Sequence, residues 1–305
     1  VTDLDVIVVS WNTRELLRAC LASVRAGEGV SVTLWVVDNG SADGSAEMVR
    51  REFPAARLIE NPANLGFATA NNQALAHRRG RYVVLLNSDA VLPPDGLARL
   101  MRQLEDRPAA GAVGPMYVHA DGRFQASFAD FPSARAELLQ AYGLSRWLLG
   151  RDYPSHRAED SRVGRAVEWL PGTCLMVRSA AIDQIGLLDD GFFLYAEEMD
   201  WCYRLWQAGW EVWYCPEVVV VHHLSQSAGQ ANEARLWHLY RGKIRFFAKH
   251  HGAARAWCLK WGLVAMLGVK AARCRLVPAT RPRDAAAWRM YVRLAARLAH
   301  ELVVA

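Results

Sequence analysis

Apolar and polar positions alternate in blocks over the first hundred residues. DVIVVS (5–10) is a short run rich in β-branched residues, and TRELLRACLASVRAG (13–27) repeats its apolar positions every three to four residues until Gly27. The first pattern predicts a buried strand and the second an amphipathic helix. The same pair recurs: TLWVVD then SADGSAEMVRREF, and ARLIE then GFATANNQALAHRRG, with YVVLL (82–86) as the next strand. Buried strands alternating with helices predict an α/β fold, a mostly parallel central sheet with flanking helices.

Beyond Asp130 the periodicity weakens. Residues 130–165 mix Pro, Gly, charges and aromatics, and we expect an irregular excursion there with a short helix in it. Regular patterning resumes with WLPGTCLMVRSAAIDQIG, a strand and then a helix. EEMDWCYRLWQAG predicts another helix, and EVWYC and VVVVHH predict two short strands. From Arg235 on the pattern is helical. This organisation predicts a body over 1–230 and a basic, amphipathic helical C-terminal region over 231–305.

Charge sharpens that division. Residues 235–305 hold 15 of the 36 basic residues and 2 of the 31 acidic ones, a net +13, which leaves −8 on the remainder. All four lysines, and Trp237, Tyr240, Phe246, Phe247, Trp257 and Trp261, lie in this basic tail. Aromatic rings set among basic residues favour an anionic membrane surface as partner over nucleic acid, with helices packed on the body as the plainer alternative. No stretch reaches the ~18 apolar residues of a spanning helix. The start, VTDLDVIVVS, has neither a basic segment nor a cleavage site, so no signal peptide is expected. The six cysteines form no CxxC pair and stand in apolar contexts, which predicts buried free thiols in a reducing compartment.

Candidate chemistry sits where the strands end. Ser10-Trp11-Asn12, Asp38-Asn39-Gly40-Ser41, Asn61 to Asn64 and Asn87-Ser88-Asp89 all follow apolar runs. In open α/β sheets ligands bind beyond the carboxyl ends of the strands. Asp89 by itself reads as a turn residue ahead of Pro93-Pro94. Beside three other polar strand ends, a ligand for Mg2+ or Mn2+ is the better reading, because a nucleoside diphosphate supplies the remaining oxygens. Asp38 can accept from a base or ribose. Gly66 opens a helix whose amides suit an anion, and one of Asn71 and Asn72 is expected to face solvent. Glu197, Glu198 and Asp200 crowd the first turn of a helix behind Phe192, Phe193 and Tyr195, which are expected to be exposed. His222 and His223 close the valine-rich strand and could reach a metal. Neither GxGxxG nor GxxxxGK[ST] is present, which argues against a dinucleotide fold and a P-loop.

Taken in order, VVSWN, VVDNGSADGS, NPANLGFATANNQAL, LLNSDA, the segment from PGTCLMV through YAEEMDWCYRLWQAGW, and VHHLSQS resemble the inverting family-2 glycosyltransferases of bacteria, particularly their rhamnosyltransferase-like branch. The resemblance covers roughly residues 4 to 227. It implies the GT-A fold and a metal-dependent transfer of a sugar, rhamnose first, from a nucleoside diphosphate (dTDP-rhamnose, then a UDP-sugar) to a hydroxyl of a glycan or polyprenyl-linked acceptor in cell-surface polysaccharide synthesis. It implies Asp89 and His222 on the metal, with His223 as competitor for the latter. Asn12, Asp38, Asn64, Gly66, Asn71, Asn87 and Ser88 would line the nucleotide. Glu198 would be the catalytic base, in place of the family's usual Asp. Glu197, Asp200, Trp169 and Tyr195 would contact the acceptor. The expected location is the cytoplasmic face of the membrane, by peripheral association. A sugar-phosphate nucleotidyltransferase, or a non-enzymatic membrane-surface adaptor, is the alternative; the former would carry a Gly-rich loop where Trp11-Asn12-Thr13-Arg14 stand.

Overall fold

The computed structural model describes residues 3–149, 156, 161–223, 232–276 and 282–303. In chain order the elements are β1 (Leu4–Ser10), α1 (Arg14–Arg25), β2 (Val32–Asp38), α2 (Ser45–Glu52), β3 (Arg57–Glu60), α3 (Phe67–Leu75), β4 (Tyr82–Asn87), β5 (Ala90–Val91), α4 (Gly96–Glu105), β6 (Ala110–Val118) and β7 (Phe124–Gln125). There follow α5 (Ala134–Ala141), α6 (Ser145–Leu149), β8 (Arg165–Val167), β9 (Cys174–Arg178), α7 (Ser179–Ile185), α8 (Glu197–Gln207), β10 (Glu211–His222), α9 (Asn232–His251), α10 (Ala253–Leu276) and α11 (Pro282–His300).

The sheet runs β3-β2-β1-β4-β9-β6-β10-β5, with β7 on β6 and β8 on β10. β3, β2, β1 and β4 are parallel neighbours. β9 lies antiparallel to both β4 and β6, so β6 and its parallel neighbour β10 share the direction of the first four strands. Alternate residues of β1 serve opposite layers, as the period of two requires. Leu4, Val6 and Val8 pack with Leu17, Leu21, Met48, Leu97 and Leu100 of α1, α2 and α4. Ile7 packs with Ala68, Leu75, Ile182, Trp201 and Leu205 of α3, α7 and α8. The sheet is therefore covered on both faces, which is why its strands read as continuous apolar runs.

The chain divides into two compact units. The first carries the sheet with α1–α4, α7 and α8. The second is helical: α5, α6 and α9–α11, with residues 194–196. Two expectations change. EVWYC and VVVVHH are one strand, β10, whose register against β6 shifts between Cys215 and Val219; Pro216, which has no N–H for the ladder, falls in that interruption. The segment 130–165 holds two helices, α5 and α6, and β8, where one short helix was expected; residues 150–155 and 157–160 of it lie outside the described residues.

Within the helical unit α10 packs against α9, α11 and α5. Lys260 is buried, and its Nζ donates to Ala299 O at 2.8 Å and Glu301 O at 2.7 Å. A cation thus meets the carbonyls that the end of α11 leaves without helical partners. Lys243 pairs with the buried Glu137 of α5, and Arg293 with Glu233.

Candidate active site

The register aligns the polar strand tips. Ser10 lies opposite Asp38, Val9 opposite Asn87, and Asp38 opposite Glu60, so β1, β2, β3 and β4 end together. Hydroxyls join the first and fourth tips: Ser10 Oγ is 3.0 Å from Thr13 Oγ1, which is 2.9 Å from Ser88 Oγ. Asp38 is 4 % exposed; its Oδ2 accepts from Ser41 N at 3.0 Å, and its buried Oδ1 has no hydrogen-bond partner. A buried carboxylate oxygen without a donor is costly, so this atom is poised for a ligand's hydroxyl or N–H.

Asn12 takes a left-handed conformation (φ 54), which asparagine tolerates better than most residues. Its N donates to Ser41 Oγ at 2.9 Å and its Oδ1 accepts from Ala42 N at 2.8 Å, so it clips the loop after β1 to the loop after β2. Asn39, one of the polar cluster that follows β2, is the hub of the neighbouring loop. Its Nδ2 donates to Asn64 Oδ1 (2.9 Å) and Gly66 O (3.2 Å), and its Oδ1 accepts from Asn61 Nδ2 (3.1 Å) and Leu65 N (3.0 Å). The amide's hydrogen-bonding capacity is thereby filled. Asn64 is a loop brace, since its Oδ1 also accepts from Gly66 N at 2.9 Å.

The anion role expected of the α3 entrance does not extend to its first two amides. Gly66 N is held by Asn64, and Phe67 N donates to Phe193 O at 2.7 Å. Gly66 has φ 86 and ψ 171, a region essentially confined to glycine, and a Cβ there would stand 2.4 Å from Phe193 O. The expectation that Asn71 or Asn72 faces solvent is also corrected. Asn71 is 1 % exposed, donates to Phe67 O at 2.9 Å and keeps a buried Oδ1 without a partner. Asn72 clamps Leu188 through both backbone groups, at 2.8 and 3.1 Å.

Past the tip of β4, Asp89 meets the end of β10. Its Oδ1 is 3.3 Å from His222 Nε2, and its backbone O accepts from His223 N at 3.0 Å. Gln125 fixes the His222 ring. Gln125 Nε2 donates to His222 O at 2.6 Å and lies 3.0 Å from His119 Nδ1, which orients the amide. Gln125 Oε1 then faces His222 Nδ1 at 3.0 Å, so that nitrogen carries a proton and Nε2 is the atom turned to Asp89. An imidazole Nε2 beside a carboxylate oxygen, with the other ring nitrogen held by an outer partner, suits a divalent cation. Among the described residues no group of three or more His, Cys, Asp and Glu could hold a metal, so these two would leave the remaining positions to ligand oxygens. Beneath the tip, Cys20 Sγ donates to Asn87 O at 3.4 Å; burial and then the charge of Asp89 push its thiol up.

Asn87 ties β4 to the loop before β9: its N donates to Thr173 O at 2.8 Å. The neighbouring Gly172 leads to α8, because a Cβ there would lie 3.6 Å from Glu198 Cβ. The three carboxylates opening α8 differ sharply. Glu197 is 3 % exposed and Asp200 fully buried, whereas Glu198 is part-exposed as a residue, with its Oε2 turned inward and buried. Asp200 Oδ2 accepts from Arg204 Nε at 2.9 Å, and Arg204 also donates to Ile185 O (2.6 Å) and Leu187 O (2.8 Å). Asp200 thus holds the turn after α7 from a fully buried position, whereas an acceptor contact was expected of it. Tyr117 runs from this region toward Asp89 and His222. Its hydroxyl donates to Cys174 O at 3.0 Å, and its ring lies 6.2 Å from that of His222. Burial, then the neighbouring Cys174, raises its pKa well above the usual phenol value.

Trp169 bridges to Ala129 through backbone and donates its indole N–H to Asp130 O at 3.0 Å, so it pins that segment. Phe192 is 2 % exposed, against expectation, and Phe193 and Tyr195 are part-buried. Tyr195 (φ 68) and Ala196 (φ 76) belong by packing to the helical unit, where Gly242 lets α9 approach; a Cβ on Gly242 would stand 2.6 Å from Tyr195 O. All six cysteines are free. Cys20, Cys174, Cys202 and Cys215 are buried as expected, but Cys258 is exposed and Cys274 intermediate.

A covered α/β sheet, polar groups gathered at its strand tips, a carboxylate–imidazole pair and the part-exposed Glu198 one loop away belong to a GT-A nucleotide-sugar transferase fold. Residues 5–186 match the family model Glycosyl transferase family 2, and the chain belongs to that family of glycosyltransferases. It is 30% identical over 283 residues, 88% of this chain and 91% of the relative, to the N-acetylglucosaminyl-diphospho-decaprenol L-rhamnosyltransferase of Mycobacterium tuberculosis. It is 25% identical over 193 residues, 60% of this chain and 70% of the relative, to rhamnosyltransferase WbbL of Escherichia coli. The mannosyltransferase PcManGT of Pyrobaculum calidifontis, solved with GDP-Man and Mn2+, shares the fold with a TM-score of 0.57 at 19% identity, over 98% of this chain and 87% of that one.

Proposed function

We propose that the protein is an inverting rhamnosyltransferase that uses dTDP-rhamnose, with a UDP-hexose as second choice of donor, and a polyprenyl-diphosphate-linked sugar as acceptor. Support for the sugar and the acceptor comes from the relative named above as an N-acetylglucosaminyl-diphospho-decaprenol L-rhamnosyltransferase. The carrying observation for the chemistry is the contrast within the first turn of α8. Glu197 and Asp200 are buried, and Glu198 keeps exposed surface beside the loop that binds the tip of β4.

In this reading Asp38 accepts from the base or ribose through its buried Oδ1, and Asn71 Oδ1 offers a second acceptor along the nucleotide. Asn12, Asn39, Asn64 and Gly66 shape the loops that receive it. Asp89 and His222 would hold Mg2+ or Mn2+, which when bound neutralises charge on the departing diphosphate. Glu198 takes the proton from the acceptor hydroxyl. That oxygen forms its bond to the anomeric carbon as the bond to the diphosphate oxygen breaks on the opposite face, and the diphosphate leaves with the electron pair. The lipid-borne acceptor and the +13 charge of residues 235–305 fit peripheral association with the cytoplasmic face of an anionic membrane. No helix among the described residues is long and apolar enough to cross a membrane.

The direct test is thermal unfolding of the full chain against nucleotide sugars with and without Mn2+. A ligand at a hundred times its Kd stabilises the native state by about 2.7 kcal/mol. A dTDP-sugar with metal should give the largest rise. Equal rises for every nucleotide, or the same rise with EDTA, would contradict the assignment.

A further inference from the structure

Among the described residues, the helical unit exposes an apolar surface on α10. On one side of α10, Ala256, Leu259, Leu263, Met266 and Leu267 are buried. The other side is also apolar: Ala254, Trp257, Cys258, Trp261, Ala265, Val269 and Leu276 fall on one helical face and are all exposed. Trp257 and Val269 are each 57% exposed and Leu276 is 81% exposed. Along a helix this stripe runs for roughly 33 Å. A helix that is apolar all round is ordinarily buried all round, and an exposed apolar strip of this length marks an interaction surface.

The flanks give its partner. α10 has no acidic residue and carries Arg255 near its start and Lys270, Arg273 and Arg275 near its end. Lys260 is withdrawn into the cap of α11 described above. The surface continues onto the preceding segment of the same unit: Tyr142 OH donates to Gly262 O at 3.3 Å, and Leu138 packs against Gly262. From there the chain exposes Leu144 (43%) and Trp147 (85%). Tryptophans on an apolar face bounded by arginine and lysine match the interface between lipid headgroups and acyl chains.

We propose that this face, α10 with residues 142–148, lies in the surface of an anionic bilayer. Trp257, Trp261 and Trp147 enter the headgroup boundary, and Arg255, Lys270 and Arg273 meet lipid phosphates. The proposal deepens the lipid-borne acceptor reading, on which it rests.

The test uses the full chain and a probe on this face. With Cys274→Ser, an environment-sensitive fluorophore on the exposed Cys258 reports directly, since the four sheet-domain thiols are buried. Vesicles of phosphatidylglycerol and phosphatidylcholine should shift its emission to the blue, and brominated acyl chains should quench it. Trp257→Glu with Trp261→Glu should weaken vesicle partitioning about tenfold or more, with nucleotide-induced thermal stabilisation unchanged as the check on folding. The proposal is overturned if vesicles bind without changing the probe, if the double variant binds as the parent does, or if no vesicle binds. It is equally overturned if the probe shifts with protein concentration in the absence of lipid, which would assign the face to a second copy of the chain. Transfer to a water-soluble acceptor, measured in parallel, separates failure of this surface from failure of the catalytic reading.

Discussion

Gln125→Leu isolates the contribution of a residue that contacts no proposed substrate. Leucine approximates the volume of glutamine and removes three interactions: the 3.0 Å contact to His222 Nδ1, the 2.6 Å bond to His222 O and the 3.0 Å contact to His119. The ring of His222 then loses the partner that fixes its tautomer and orientation toward Asp89, 3.3 Å away. Loss of such an outer partner typically lowers metal affinity 10- to 100-fold, or about 1.4 to 2.8 kcal/mol at 1.4 kcal/mol per tenfold. The buried His222 carbonyl also loses a donor, which costs stability of roughly 1–3 kcal/mol. The assay is a Mn2+ titration by calorimetry at saturating nucleoside diphosphate, beside a urea melt of the apoprotein. The expected result is a metal Kd raised at least tenfold in a folded protein. Gln125→Glu, which keeps the acceptor for Nδ1, should recover part of it. Unchanged metal affinity in a folded Gln125→Leu protein would refute the pairing of Asp89 with His222 around a cation.

Gly66→Ala forces a side chain into a glycine-only conformation and against Phe193 O, so a loss of at least 1–3 kcal/mol is expected in a urea melt, with weaker nucleotide binding. Asp200→Ala leaves Arg204 beside a buried site without its carboxylate; a destabilisation of about 3–5 kcal/mol is expected, so its loss of activity should track loss of fold, unlike a change at Glu198. Burial raises the Cys174, Cys202 and Cys215 thiols from 9.0 to about 12. They stay protonated in the folded chain while the unfolded chain releases its protons, so stability should fall as pH rises through 9 toward 12, and replacing them with Ala or Val should flatten that decline.

Much of this was legible in the sequence, for a physical reason. A strand buried on both faces shows as a continuous apolar run, so its polar terminus stands out; that is why Asp38, Asp89 and His222 draw attention as candidates. Three carboxylates in one helical turn carry no such contrast. Asp200 was separable from Glu198 only through Arg204 four residues on, an i,i+4 pair that locates an ion pair without telling whether it is buried. Gln125 sits in a strand of two residues and reaches a histidine 97 positions away, a contact that no local pattern encodes. Asn39 did not stand out from its polar cluster because its four partners come from a loop more than twenty residues distant. Phe192 was misjudged because an aromatic run before a helix reads the same whether it faces solvent or the core.

The central claim is that Glu198 deprotonates the acceptor in a single inverting displacement. The most direct measurement pairs donor binding with product analysis for the parent and Glu198→Gln, using dTDP-rhamnose, Mn2+ and a polyprenyl-diphosphate N-acetylglucosamine acceptor. The parent should release one dTDP per disaccharide, with the anomeric configuration opposite to that of the donor. Glu198→Gln should bind donor with little change and turn over about 10²-fold or more slowly, with a flattened acid limb in its pH–rate profile. Full turnover by Glu198→Gln, or retention of the donor's anomeric configuration by the parent, would contradict the account.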